Sequence, residues 1–318
     1  TRAIALTASL ALAATAVAAP VAAVEPFADE DKPYVAIVSK GFMHQFWQAV
    51  EGGAYAKAEE LNMDANFVGP ETESQVAKQI ELLQAEYDKS PQAVCFAALD
   101  SVAATPLLEQ MDADGIPVIA FDSGVESDIP ITTAATDNVA AAGLAAEKML
   151  EMVGEGAQVG VIVHDQTSRT GIDRTEGFIA QAEELGLEIV GPQFGGGDHA
   201  KSADLAKAMM QANPDMAGFF AGNEGSAIGT LLAVDELDMA GEIVVIGYDS
   251  GKAQIDAIKD GSMAGAVQQN PVGIGAWCVE AAAMALQGEE VPDPIDTGYL
   301  WADASNIDSE EVMAVLYE

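Results

Sequence analysis

The sequence predicts an α/β protein built as two doubly wound parallel-sheet lobes, and three observations carry that expectation. From Tyr34 onward, short apolar runs alternate strictly with helical patterns. Alternation of this kind implies parallel strands covered by helices on both faces. The pattern is then laid down twice, over residues 34–122 and again over 157–249. Finally, polar side chains collect just after the predicted strands, where open α/β sheets hold their ligands.

The first unit, YVAIVSKGFMHQFWQAVEGGA over residues 34–54, reads as a buried strand, a loop carrying His44, Phe46 and Trp47, and a helix through Val50 and Ala54. Phe46 and Trp47 have two readings: flat apolar faces for a small polar ligand with a C–H face, or the inward side of an amphipathic helix. Further strands are predicted at 65–69, 92–98, 117–121, 157–163, 187–190, 217–221, 243–247 and 263–268. Helices are predicted at 45–61, 73–88, 102–114, 138–152, 171–185, 200–212, 224–237, 251–259 and 272–287. Gly115 before Ile116-Pro117, Gly186 after Leu185 and Pro91 after Ser90 punctuate helix ends. GLEIVGPQF in the second half echoes NMDANFVGP in the first, each following the first helix of its half. A polar segment from Thr132 to Asn138 joins the halves, and Asp137-Asn138 are expected to cap the helix that follows. Gln268-Gln269-Asn270-Pro271 breaks the second half, so the chain is expected to cross back there and again near 300–306.

With 318 residues, half of them hydrophobic, the chain can form two ordinary domains. Its formal net charge of −38 opposes nucleic acid and anionic membranes, and suits solubility in a saline habitat. Residues 1–23 read as the apolar region and cleavage zone of a secretory signal peptide, with Val21-Ala22-Ala23 as a cleavage triplet. An uncleaved anchor is the weaker alternative, because the run is rich in Ala rather than Leu. Cys95 lies in an apolar run and Cys278 on a predicted helix, so both read most simply as small buried hydrophobes, with a disulfide as the alternative in an exported protein.

Several motifs fail on inspection. GEGAQVG at 154–160 is one residue too long for a dinucleotide fingerprint and precedes its strand, and GGGDHAKS at 195–202 lacks the glycine a phosphate loop places before its lysine. GYDSG at 247–251 imitates a nucleophile elbow, but every histidine precedes Asp249. His44, His164 and His199 show no metal spacing, so neither a metal nor a cofactor is expected. What stands after the strands is instead His44, Phe46, Trp47, Asp100, Asp122, Ser123, Asp165, Gln166, Arg174, Asn223, Glu224, Asp249, Gln269 and Asn270. No nucleophile–base pair emerges from that set, which suits holding a polyhydroxylated ligand in a cleft rather than breaking it. Asp122, Asn223 and Asp249 could equally cap helices or turns, Arg174 could pair with Glu176 on the surface, and Glu224 and Asp165 are expected at the solvated rim.

Taken together, FWQAVEGGA, IPVIAFDSG, the TDN at 136–138, the R-x-E-G-F of Arg174 to Phe178, FFAGNEGSAIG, VVIGYDSG and GAVQQNP resemble the periplasmic solute-binding proteins of the ribose/galactose-binding type. The same fold serves as the effector domain of lactose-repressor-like regulators. The resemblance implies a three-crossover hinge joining an N-terminal lobe (34–135 plus 270–300) to a C-terminal lobe (136–269 plus 301–318), closing over a sugar. It implies that Phe46 and Trp47 stack on the sugar ring, and that Asp122, Arg174, Asn223, Asp249 and Gln269 hydrogen-bond to it. The family pattern has Asn near His44, Arg where this chain has Ser123, and an aromatic near Gly197. These departures weigh against ribose itself and leave another pentose or hexose, a sugar alcohol or a cyclitol. The expected protein is a monomeric periplasmic receptor, exported by its signal peptide, delivering its ligand to an ABC permease in the inner membrane. A sugar-like signal receptor for chemotaxis or a sensor kinase is the alternative; a repressor would need a basic helix-turn-helix at its N-terminus.

Overall fold

In the computed structural model, residues 24–317 are described, and the expected signal segment, residues 1–23, lies outside them. The first half alternates β1 (Tyr34–Val38), α1 (Gln45–Glu60), β2 (Asp64–Val68), α2 (Val76–Tyr87), β3 (Ala93–Phe96), α3 (Thr105–Ala113), β4 (Val118–Phe121) and β5 (Thr133–Ala135). The second half runs α4 (Asn138–Val153), β6 (Gln158–Val163), α5 (Arg169–Glu184), β7 (Glu188–Phe194), α6 (His199–Ala212), β8 (Met216–Ala221), α7 (Glu224–Glu236), β9 (Val244–Tyr248), α8 (Lys252–Asp260) and β10 (Gly265–Gln269). It closes with α9 (Pro271–Gln287), β11 (Ile295–Asp296), β12 (Tyr299–Ala302) and α10 (Glu310–Met313).

The strands form two six-stranded sheets, in the orders β11-β5-β4-β3-β1-β2 and β12-β10-β9-β8-β6-β7. All pairings are parallel except that between β10 and β12. The internal repeat is visible in this topology: NMDANFVGP forms edge strand β2 and GLEIVGPQF forms edge strand β7, each beside the first strand of its half. The chain passes between the sheets three times, after β5, after β10 and between β11 and β12.

Each sheet is covered on both faces, which is why its central strands read as unbroken apolar runs. Along β1, Val35 and Ile37 point into a core shared with α1 and α9, while Ala36 and Val38 point into one shared with α2 and α3. In the second lobe Phe219 enters the core under α6 and α7, and its neighbour Phe220 enters the core under α4 and α5. Helices start on capping side chains: Asp137 accepts from Ala140 N, Ser168 from Gly171 N and Asn270 from Gly273 N. α1 and α9 pack so closely that a Cβ on Gly53 would lie 2.1 Å from the Val272 carbonyl oxygen.

That close pairing corrects the simplest reading of the cysteines. Cys95 on β3 and Cys278 on α9 are buried, as expected, but they are joined in a disulfide, with Cα atoms 6.0 Å apart. They are 183 residues apart in the chain, so only the return of α9 to the first sheet brings them within bonding range.

Candidate functional site

The carboxyl ends of the two sheets face each other across a small cavity. Its walls are Lys40, His44, Phe46, Trp47, Glu73 and Asp122 from the first lobe, and His164, Arg174, Asn223, Asp249 and Gln269 from the second. The empty volume, open solvent included, is ≈ 270 Å³. A larger space of ≈ 730 Å³ lies beside it at the crossovers, and shares Asp122 as a wall.

Two aspartates hold equivalent places. Asp122 follows β4 and Asp249 follows β9, and both adopt positive φ, 55° and 76°. That region is costly for a residue with a Cβ and recurs where a side chain must be aimed. Neither aspartate caps a helix: the cap of α8 is Gly251, and α3 ends well before Asp122. Asp249 accepts from Gln269 Nε2 at 2.6 Å and from the Glu224 amide at 3.1 Å. Asp122 Oδ2 has no hydrogen-bond partner, with Lys40 Nζ 3.6 Å away. Burial raises its carboxyl above the usual range, outweighing the pull of Lys40 and Arg174.

Arg174 is held on every side. Its Nε donates to Asn138 Oδ1 at 2.7 Å and its Nη1 to the Gly222 carbonyl at 2.9 Å. The guanidinium also lies 3.8 Å from the centre of the Tyr248 ring and 3.9 Å from Asp249 Oδ2. Arg174 is only 3% exposed, so a surface pair with Glu176 is excluded. Asn223 serves in both of its expected ways, capping α7 through Ser226 N at 2.9 Å while lining the cavity. Phe46 and Trp47 pack edge to face at 5.1 Å within the first-lobe core, and each still presents surface to the cavity.

Ser123 does not join this set. It is fully buried outside the cavity wall, and its carbonyl accepts from Ala98 N at 3.0 Å, turning it toward β3. Glu224 also departs from expectation: it is 5% exposed rather than solvated at the rim. Asp165 remains partly exposed, accepting from the Thr167 and Ser168 amides in a turn.

Three wall residues escape the sequence reading. Lys40 stands two residues after β1, and its Nζ reaches across the cleft to Thr170 Oγ1 at 2.9 Å. His164 directly follows β6 and also contacts Thr170 Oγ1, at 3.1 Å. Both positions meet the strand-end rule, so that signal was available for them. Glu73 sits in the loop before α2, where residue 73 was read as helix, and it accepts from Trp47 Nε1 at 2.7 Å. Burial alone would raise its carboxyl; Lys40 foremost, then His44 and His164, hold it down at about 2. Among the described residues no group of three His, Cys, Asp or Glu side chains is placed to hold a metal ion.

Two hinged lobes closing on buried carboxylates, amides, an arginine and an aromatic pair define a solute-binding protein. The chain belongs to the periplasmic binding protein domain family, whose model matches residues 35–290. It is 28% identical over 269 residues to the D-ribose/D-allose-binding protein of Pseudomonas aeruginosa, covering 81% of this chain and 84% of that one. It is also 28% identical over 250 residues to the ribose import binding protein of Bacillus subtilis, covering 79% and 80%. Among solved structures, an ABC transporter solute-binding protein from Agrobacterium vitis with bound D-fucose superimposes with a TM-score of 0.87 at 30% identity, covering 89% of this chain and all of that one. A second from the same organism, bound with α-D-tagatopyranose, gives 0.87 at 26% identity, covering 90% and 100%.

Proposed function

We propose that this protein is a periplasmic receptor that closes on one neutral monosaccharide or polyol and hands it to an ABC importer. The observation that carries the reading is the composition of the cavity wall. Acceptors and donors both line it, with the carboxylates of Asp122, Asp249 and Glu73 beside the donors of Lys40, Arg174, Asn223 and Gln269. A polyol offers the same mixture of donors and acceptors, hydroxyl by hydroxyl. Phe46 and Trp47 supply an apolar face for ring C–H groups. Relatives named for ribose and allose, and a structural neighbour holding D-fucose, support the same class of ligand. The paired cysteines fit an oxidising compartment, and no helix among the described residues is long and apolar enough to cross a membrane.

A thermal-shift panel tests this reading, because a ligand that binds only the folded state raises the melting temperature. D-ribose, D-allose, D-fucose, D-tagatose, D-arabinose, sugar alcohols and inositols would be compared with amino acids. A clear rise within one sugar or polyol class is the expected result. A rise with amino acids only, or with no polyhydroxylated compound, overturns it.

A further inference from the structure

Of the three carboxylates in the cavity wall, Asp122 and Asp249 directly follow strands, while Glu73 stands in the loop between β2 and α2. Its side chain is buried and one oxygen is committed: Oε1 accepts from Trp47 Nε1 at 2.7 Å, tying the loop to the first turn of α1. A carboxylate offers about four acceptor sites, and a buried one is costly to leave short of donors. Among the described residues no hydrogen bond reaches its other oxygen, Oε2.

Gly197 shows where Oε2 is aimed. This glycine is buried in the second lobe, at the turn before α6, with φ of 70°. A Cβ there would stand 3.3 Å from Glu73 Oε2, 3.1 Å from His44 Nε2 and 3.6 Å from Asn223 Nδ2. On its own side of the cleft, Glu73 rests against Gly41, where a Cβ would stand 3.4 Å from its Cγ. The side chain therefore reaches from one lobe to the other and brings Oε2 to a corner shared with His44 and Asn223, both cavity walls. Asn223 Oδ1 is held by Ser226 N at 2.9 Å, which leaves Nδ2 as the donor in that corner. His44 is 2% exposed, and neither of its ring nitrogens has a hydrogen-bond partner. A hydroxyl suits such a place, since it donates one proton and accepts on two lone pairs.

We propose that Glu73 is a ligand-binding and specificity-determining residue: Oε1 holds the Trp47 ring while Oε2 accepts the proton of one ligand hydroxyl, whose oxygen takes the N–H of Asn223 Nδ2. This rests on the receptor reading of the cavity and narrows it. The ligand carries a free hydroxyl beside the face that Trp47 covers, and a sugar deoxygenated or methylated at that carbon is refused. A site built around a hydroxyl rejects the analogue that lacks it, because the buried acceptor is then left unpaired. Since one side chain fixes both the ring face and the hydroxyl next to it, inverting that carbon carries the hydroxyl away from Oε2, and the epimer is refused as well.

Two variants separate the two oxygens. The probe is the panel compound that raises the melting temperature most, together with its monodeoxy analogues, and affinities are read by titration calorimetry. In the wild type, the analogue lacking the Glu73-bound hydroxyl should bind roughly 10-fold or more weakly than the parent. In Glu73→Ala that difference disappears, while analogues deoxygenated at other carbons keep their wild-type penalties. Glu73→Gln keeps the shape and a single acceptor oxygen, so it holds Trp47 but loses the same discrimination. Trp47 is read without ligand in a Trp277→Phe/Trp301→Phe background, where it is the last tryptophan. Its indole N–H proton resonance should stay in place in Glu73→Gln and move upfield in Glu73→Ala. Wild-type penalties at every carbon in both variants overturn the ligand bond, and an indole resonance unmoved in Glu73→Ala overturns the hold on Trp47. If no compound in the panel binds the wild type, the receptor reading fails and takes the ligand bond with it, whereas the indole resonance still decides the hold on Trp47.

Discussion

Asp122 shows how one side chain concentrates the design of the cavity. Its backbone sits in the left-handed region, its carboxyl is buried, and its Oδ2 has no hydrogen-bond partner, only the Lys40 ammonium 3.6 Å away. A buried acceptor of this kind is costly unless something donates to it, and under the proposed function a ligand hydroxyl is that donor. Asp122→Ala should therefore weaken sugar binding at least about 10-fold, because the ligand donor would lose its acceptor in a closed site. Titration calorimetry reads this directly, and near-unchanged affinity would return Asp122 to a role in the loop alone. The position of Asp122 was legible because it ends a strand in IPVIAFDSG, and Asp249 repeats it in VVIGYDSG. Glu73 and Glu224 were not legible in the same way. Glu73 stands in the loop between β2 and α2, and its importance lies in Trp47 and Lys40, which no local pattern connects to it. Glu224 opens a helix, which reads as solvent-facing, yet it is buried with His44 of the opposite lobe 4.0 Å away.

At the level of strands and helices, the apolar periodicity placed nine strands and nine helices, and all have counterparts in the fold. The strands it missed, β5, β11 and β12, have three, two and four residues. Segments so short carry no period; they are strands only because a neighbour pairs with them, as Ile295 does with Ala134. The α1–α9 pair was equally hidden, since α9 reaches the first lobe only after the second is complete. The Cys95–Cys278 disulfide pins that late helix to β3. Closing so long a loop should contribute roughly 3–5 kcal/mol, chiefly by restricting the unfolded chain. A Cys95→Ala/Cys278→Ala variant should then unfold at clearly lower urea concentration than the oxidised protein. An unchanged midpoint would mean that helix packing alone holds α9, with the glycine contacts at Gly53 and Gly275 sufficient for the docking.

For the molecule as a whole, the buried charges around the cavity set opposing dependences on pH. Glu73 is held at about 2 in the folded protein, against roughly 4.3 when unfolded. Because the folded value is the lower, its contribution is present above about 4.3 and is lost as pH falls toward 2; a difference of this size corresponds to on the order of 3 kcal/mol. His164 acts in the same direction: burial keeps its ring neutral and lowers its value, so stability falls as pH drops below roughly 6.5, where the unfolded histidine protonates first. Glu224 acts in the opposite direction, raised to about 8, so its contribution is full at low pH and is lost as pH rises through that value. The melting temperature of the protein should therefore be highest across about pH 4.3 to 6.5, where the His164 and Glu224 slopes oppose each other, and fall on both sides. Replacing His164 with Gln removes the histidine contribution, so the variant's melting temperature should gain relative to that of the wild type as pH falls from about 6.5 to 5. A variant that follows the wild-type curve across that interval would mean that His164 is protonated in the folded protein, and that the cavity wall carries one more positive charge than its neutral ring allows.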